Sequence, residues 1–262
     1  MRLADLDRKI REICSDLNAI RESGDSLGAL KVLGRTILRS RSPIQVRLRS
    51  ERLFVRPCTP DVLAGRESLS GEFDCAIEAA RPLRHNFIVD AGGYIGTAAL
   101  ALAKAFPEAT IVSLEPSIEN FKILQRNVAE FPNIKPQNRA LGAKAGAVPL
   151  QDRGTKQWGF SIISAPSRDC RNPKALHEVT TVTLQMLMDE FGVGGIDLLK
   201  LDIEGAEYDL LNDSSAWVSL TRVIVAELHE RIIPGTEKAF YHAMLGRRIC
   251  SAGREKILVC PN

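Results

Sequence analysis

The sequence predicts an α/β fold built on a mostly parallel sheet, for three reasons. A short apolar run, Phe87-Ile-Val, stops at Asp90 and passes through Gly92, Gly93 and Gly96 into a helix-like segment beginning at Thr97. Beyond it, strand-like runs alternate with segments of helical period, and a strand followed by a crossover helix pairs in parallel with the next strand. Polar residues also gather where those runs end, the edge at which open α/β sheets hold ligands.

In chain order, Leu3, Leu6, Ile10, Ile13, Leu17 and Ile20 recur at spacings of three and four, marking an amphipathic helix that Gly24 ends. Its apolar stripe needs a cover, either the body of the same chain or the same helix of a second copy, so a homodimer through this helix is the alternative partner arrangement. Between Ile44 and Val55 apolar and polar residues alternate, which predicts a half-buried hairpin turning near Ser50-Glu51. Arg35, Arg39, Arg41, Arg47, Arg49, Arg52 and Arg56 crowd this stretch and are expected on its solvated face, with a site for an anionic substrate or phosphate-bearing carrier as the alternative; no aromatic residues are interleaved to stack nucleic-acid bases. A helix-like piece with Phe73, Ile77 and Ala80 breaks at Pro82, and Arg84-His85 leads into the first core strand. Two domains follow from this division: an extension over 1–85 and an α/β domain over 86–262.

The glycine turn after Phe87–Asp90 lets a ligand approach the backbone at a helix N-terminus. Thr97 to Phe106 reads as a buried helix stopped by Pro107, and Thr110 to Leu114 as a strand ending in Glu115. That acid stands about 20 residues past the turn, where a ribose-binding carboxylate belongs. Ser117 caps a helix carrying Phe121, Leu124 and Val128, stopped by Pro132. Ile134–Leu141, Ile196–Ile203 and Arg222–Leu228 are the third, fourth and fifth strands, with a helix from Glu204 to Leu211 after the fourth. A hairpin around Ser251 to Lys256 supplies an antiparallel edge. Gly146 to Thr181 is the least informative stretch and is expected to form a lid or ligand-binding loop near the ligand edge of the sheet, in which Trp158 stacks on a ligand ring or packs beneath the loop.

With 262 residues, 45% of them hydrophobic, the chain can bury a full core without disulfides or metal. The cysteines are scattered without a C-x-x-C pair and are expected to be buried. No apolar run reaches the ~18–20 residues of a membrane span, and the charged start is unlike a signal peptide, so the cytoplasm is the expected location. A net charge of +3 is too small to imply a polyanionic partner.

The chemistry concentrates after the fourth strand. Lys200, Asp202 and Glu204 interrupt an apolar run, which is costly unless they meet a ligand or one another; a structural ion pair of Lys200 with a carboxylate is the plain alternative. If the strand persisted, all three would share one face. His229, after the fifth strand, is by chemical type the best general base, with substrate orientation or a structural role as alternatives. Glu207 falls in a first helical turn, where the dipole favours a carboxylate whatever the function. Asp202, Glu204, Glu227 and His229 have the chemistry of metal ligands, but their spacing matches no ligand motif and no metal is expected.

Taken together, Phe87-Ile-Val-Asp-Ala-Gly-Gly-Tyr-Ile-Gly96, Val112-Ser-Leu-Glu-Pro-Ser117, Asn138-Arg-Ala-Leu-Gly142, Ile196-Asp-Leu-Leu-Lys-Leu-Asp-Ile-Glu-Gly-Ala-Glu207 and Ala226-Glu-Leu-His229 resemble the FkbM family of S-adenosylmethionine-dependent methyltransferases in order and spacing. The resemblance runs from about Arg47 to Leu228, and the Lys-x-Asp-x-Glu-Gly-x-Glu block is its most specific element. It implies a Rossmann-like, seven-stranded class I methyltransferase fold with six parallel strands and one antiparallel, preceded by the helical and hairpin extension. It also implies S-adenosylmethionine as cofactor and O-methylation of a sugar, glycolipid or polyketide-like acceptor. Asp90, Gly92, Gly93 and Gly96 would line the methionine and ribose portions of the cofactor, Glu115 would accept both ribose hydroxyls, and Pro116 and Ser117 would lie near adenine. Arg139 and Ala140 would present backbone to adenine, and Asp202 would face the sulfonium. Glu204 would bind substrate or orient Asp202. The family usually carries Asn where Tyr94 stands, so here the backbone of Tyr94 is expected to serve. The rival readings are a nicotinamide-dependent oxidoreductase, which the missing G-x-G-x-x-G disfavours, a nucleic-acid base methyltransferase, which would carry an Asn/Asp-Pro-Pro-Tyr-like sequence, and a non-catalytic cofactor-binding protein.

Overall fold

A computed structural model describes residues 3–81, 87–251 and 256–260. The expected break at Pro82, the Arg84-His85 lead-in and the tip of the carboxyl-terminal hairpin at 252–255 lie outside the described residues. The chain forms two compact units, Met1–Gly71 and Glu72–Asn262.

In the first unit α1 (Leu3–Glu22) gives way at Gly24, φ +80°, to α2 (Ser26–Ile37), which Asp25 caps by accepting from the Gly28 N–H at 2.8 Å. The other Asp25 oxygen takes the Arg47 N–H at 2.9 Å and so links the cap to β1 (Ile44–Leu48), which pairs antiparallel with β2 (Glu51–Val55). Val46, Leu48, Leu53 and Val55 are buried and Arg47 and Arg52 exposed, as the alternation predicts. Arg56 corrects it: the side chain is buried and holds Asp61, the first residue of α3 (Asp61–Ser68), through two 2.9 Å bonds. The stripe of α1 packs against α2 within this unit, with Ile20 fully buried and Ile10 exposed. Sequence periodicity did not reveal α2, because it buries small residues, Gly28 and Ala29, and turns Leu27, Leu30 and Ile37 outward.

The second unit opens with α4 (Asp74–Ala80), β3 (Phe87–Ala91), α5 (Thr97–Ala105), β4 (Thr110–Leu114), α6 (Ile118–Asn127) and β5 (Ile134–Gln137). It continues with β6 (Ala140–Leu141), β7 (Gly146–Asp152), β8 (Phe160–Ser161), β9 (Lys174–Val182), α7 (Leu184–Phe191) and β10 (Ile196–Leu201). It closes with α8 (Glu207–Asn212), β11 (Thr221–Glu227), α9 (Thr236–Ala243), β12 (Arg248–Ser251) and β13 (Lys256–Cys260). The main sheet has seven strands in the order β12-β13-β11-β10-β3-β4-β5. Within this sheet β13 is the reversed strand, antiparallel to both β11 and β12, and it lies one place in from the edge, with β12 outermost. Both β3 and β10 are buried along their whole length, as expected of central strands covered on both faces. From β3 the chain winds outward through β4 and β5, then returns to build β10 and β11 on the other side, which puts the topological switch point between the ends of β3 and β10.

Four expectations are corrected here. The third strand splits: β5 stops at Gln137, Asn138 turns to donate to the Glu115 and Pro116 carbonyls at 2.8 and 3.0 Å, and β6 joins another sheet. That sheet, β6-β9-β7-β8, occupies the stretch expected to be a loop and has its own small core of Ala140, Leu150 and Val179. The fourth strand ends at Leu201 and its helix starts at Glu207, because Glu204 (φ +52°) and Gly205 (φ +100°) take the left-handed backbone that breaks both. Cys14, Cys58, Cys75 and Cys250 are exposed rather than buried. No helix among the described residues is long and apolar enough to cross a membrane.

Candidate active site

At the end of β3 the glycine turn folds under the neighbouring strands. The Gly92 and Gly93 N–H groups both donate to the Leu114 carbonyl, at 3.1 and 2.8 Å. A Cβ on Gly92 would sit 1.8 Å from the Asp202 carbonyl oxygen, and one on Gly93 would sit 2.3 Å from Ser113 Oγ. Gly96, φ +88°, begins α5 against Val128, 2.9 Å from where its Cβ would lie. The missing side chains are therefore required by close packing of β3 against β4, β10 and the end of α6. Tyr94 takes a left-handed φ of +49°, a conformation that suits the family's Asn better than a bulky residue.

Lys200 is the knot between β3 and β10. Its buried ammonium lies 3.1 Å from Asp90 Oδ1, 2.7 Å from the Gly92 carbonyl oxygen and 3.6 Å from Asp202 Oδ2. Burial works against its charge, but Asp90 and Asp202 outweigh that and raise its pKa. Asp90, wholly buried, also accepts from Ser113 Oγ at 2.7 Å. The structural ion pair foreseen for Lys200 is present, and Lys200 and Asp202 meet although the strand ends between them.

On the β4 side Glu115 is buried against N–H donors. Its Oε2 accepts from the Tyr94 backbone at 2.9 Å, and its Oε1 from the Ser117 backbone at 2.8 Å and Asn120 Nδ2 at 3.3 Å. Burial pushes its pKa up to about 7, only partly countered by these bonds and by Lys200. Asn120 also donates to the Gln157 carbonyl at 2.8 Å, so the segment between β7 and β8 is tied down beside Glu115, while the Asn120 Oδ1 is buried without a hydrogen-bond partner. Trp158 next to that tie is exposed. Ser117 caps α6 and Ala140 is buried in β6. The Arg139 side chain turns to Glu190 on α7 at 2.6 Å, which leaves its backbone for any ligand contact. The ring of His177, on β9, comes within 3.5 Å of the Pro116 carbonyl; sequence reasoning passed over this residue.

Beyond β10 and β11 the acids gather on His229, which is 2% exposed. Its Nδ1 is 2.9 Å from Glu207 Oε1, and Glu207 is held by the Ile203 and Gly205 N–H groups, each at 2.8 Å. Glu207 therefore does more than satisfy a helix dipole. The His229 Nε2 faces Glu204 Oε1 at 3.5 Å and Asp202 Oδ1 and Glu227 Oε1 at 3.8 Å each. Burial disfavours the charged ring, yet Glu207 and Glu204 outweigh it and hold the His229 pKa well above the usual imidazole range. The Asp202 carboxyl, which burial would raise, is lowered by Lys200 and His229; the Glu227 carboxyl is raised by burial and by Asp202. The second sheet reaches this side too, since Ser161 Oγ donates to the Glu204 carbonyl.

A central glycine turn, switch-point crevice and reversed strand one place from the edge make this architecture that of the class I methyltransferases. The model of the methyltransferase FkbM domain matches residues 90–251, more than half of the chain, and the chain belongs to the FkbM family of S-adenosylmethionine-dependent methyltransferases. It is 31% identical over 160 residues to Methyltransferase 1 of Beauveria bassiana, covering 53% of this chain and 64% of the relative. It is 28% identical over 173 residues to Methyltransferase sdnD of Sordaria araneosa, covering 55% and 66%. The chain thus spans just under two thirds of the length of either relative. A further match, 24% identical, covers 55% of this chain and 8% of the AMB antimetabolite synthetase AmbE of Pseudomonas aeruginosa. Among solved structures, a SAM-dependent methyltransferase from Agrobacterium tumefaciens aligns over 83% of this chain and 69% of its own, with a TM-score of 0.45 and 11% identity.

Proposed function

We propose that this chain transfers the methyl group of S-adenosylmethionine to a hydroxyl of a small-molecule or glycan acceptor, of the sugar, glycolipid or polyketide-like kind. The observation that carries the reading is the division of the switch point into two acceptor-rich halves, Glu115 with Asn120 on one side and the acids around His229 on the other, with Lys200 tying Asp90 to Asp202 between them. The first half fits the cofactor: a buried carboxylate with lone pairs to spare, beside the unpartnered Asn120 Oδ1, calls for a ligand rich in donors, and ribose hydroxyls and an adenine amine are donors. When bound, the cofactor supplies an electrophilic methyl group on a sulfonium whose positive charge is lost in the transfer.

In this reading Glu115 holds the ribose and the Gly92–Gly96 turn, with Asp90 beneath it, shapes the floor under the methionine portion. Pro116, Ser117 and the backbone of Arg139 and Ala140 border the adenine. Asp202, kept ionised by Lys200, faces the sulfonium, and its charge favours a bound cation. The acceptor enters on the β10–β11 side, where Asp202 and Glu204 take the hydrogen bond of its hydroxyl. Glu207 and Glu204 hold the His229 pKa well above the usual imidazole range, so in this reading the charged ring holds the acids around Nε2 and the ring serves as base only after it has lost that proton. The acceptor oxygen gains the methyl group, its proton passes to solvent, and the carbon–sulfur electron pair stays with sulfur. Collinear alignment supplies much of the rate.

Similarity to part of an antimetabolite synthetase supports a small-molecule acceptor over a nucleic acid. A non-catalytic cofactor-binding protein is the second reading, favoured by the bulky Tyr94 in a strained turn. Self-association through α1 is also proposed from the exposed Ile10, with sedimentation velocity as its check, and a cytoplasmic location is proposed with it. The main test is calorimetric titration with S-adenosylhomocysteine, followed by transfer of labelled methyl to a panel of sugars and polyketides. Micromolar binding and labelled ether products are expected. A folded protein without affinity sinks the proposal, and affinity without turnover on any acceptor moves the case to the non-catalytic reading.

A further inference from the structure

The acids around His229 share one arrangement. Asp202 gives Oδ2 to Lys200 at 3.6 Å, Glu204 gives Oε2 to Arg231 at 3.1 Å, and Glu227 gives Oε2 to Lys256 at 2.7 Å. The remaining oxygen of each turns towards His229 Nε2. At 3.5–3.8 Å these separations are too long for good hydrogen bonds, and Nε2 is a buried nitrogen with no hydrogen-bond partner in a residue 2% exposed. They suit ligands disposed about a common ion, since bonds of about 2.1 Å in tetrahedral array set neighbouring donors about 3.4 Å apart. One ligand atom each from Asp202, Glu227 and His229 lies within 4.8 Å of the other two.

The far side of the ring supplies an independent sign. Nδ1 is bonded to Glu207, itself fixed by two backbone N–H groups, so the ring is locked with Nε2 directed into the acids. Metal-binding histidines are almost always oriented by such an acceptor on the other ring nitrogen, a carboxylate, backbone carbonyl or water. Asp202 and Glu227 are only partly buried, so a face is left for water or an acceptor oxygen.

We propose that Asp202, Glu227 and His229 Nε2 bind one divalent cation, with Glu204 at its edge and Glu207 as the positioning residue behind the ring. Two carboxylates and one imidazole suit an ion that accepts oxygen and nitrogen alike, with Mn²⁺ as its natural probe. The ion takes the place of the Nε2 proton. Its assignment to the acceptor hydroxyl, which it would hold and acidify, rests on the methyl-transfer reading above, whereas the binding site stands on its own geometry.

The test is titration of chelator-treated full-length protein with Mn²⁺, reading free Mn²⁺ by electron paramagnetic resonance, alongside S-adenosylhomocysteine calorimetry on the same samples. One Mn²⁺ per chain is expected, bound at least tenfold more weakly by Glu227→Gln and by His229→Gln. In Glu72→Gln, which removes a carboxylate 3.0 Å from Lys256, Mn²⁺ binding stays unchanged. Retained S-adenosylhomocysteine affinity shows that the variants are folded. No Mn²⁺ binding by a protein that takes S-adenosylhomocysteine, or equal binding by wild type and both ligand variants, overturns the site. Saturable Mn²⁺ binding without S-adenosylhomocysteine affinity upholds the site and removes its link to methyl transfer.

Discussion

Glu115 concentrates the consequences of burial in one side chain. Its folded pKa, about 7, stands above the ordinary 4.5, so between those values the folded chain holds a proton that the unfolded chain has shed. Its contribution to stability is therefore complete below the unfolded value and is lost as pH rises through 7. Cofactor binding runs the other way, because ribose hydroxyls need the ionised acceptor. S-adenosylhomocysteine affinity should weaken about tenfold for each pH unit below 7 and level off above it. Glu115→Gln should flatten that dependence and Glu115→Ala abolish binding, both read by calorimetry across pH 5.5–8.5; an unchanged profile in Glu115→Gln would discard the assignment. Gly92 makes a different demand. Alanine there meets the Asp202 carbonyl and a φ of +85°, and should cost about 2–4 kcal/mol in urea unfolding. A cost below about 0.5 kcal/mol would show that the turn relaxes freely.

Between elements, the tie that matters most is Lys200 from β10 to the end of β3. Lys200→Met leaves Asp90 buried without its cation and should destabilise by about 3–5 kcal/mol, with Asp90→Asn in the same chain recovering part of the loss. Additive losses in the double variant, measured by urea denaturation, would show that the two do not act as a pair. The sequence made β3, β4, β10 and β11 legible because their apolar runs are long and bounded by glycine, proline or charge. It hid the split of the third strand, since what turns the chain at Asn138 is a pair of side-chain bonds to carbonyls over 20 residues away in sequence. The second sheet was hidden for a similar reason: β9 is mostly exposed and polar, and β7 contains Pro149, so neither strand has a clear alternation.

Across the whole chain, every residue assigned to the cofactor, the acceptor or the cation belongs to the unit Glu72–Asn262. A fragment spanning 72–262 should therefore fold and bind S-adenosylhomocysteine within about threefold of the full chain. A fragment that folds, by circular dichroism, but does not bind would mean that the extension completes the site. By itself the sequence determined the fold class, the family and the strand ends at which Asp90, Glu115, Asp202 and His229 stand, because hydrophobic period and glycine placement are local properties of the chain. Only the tertiary structure decided what those residues do to one another. It closed the glycine turn on the Asp202 carbonyl, locked His229 on Glu207 and turned three acids towards its free nitrogen, since proximity across strands depends on sheet order and on where Glu204 and Gly205 break the backbone.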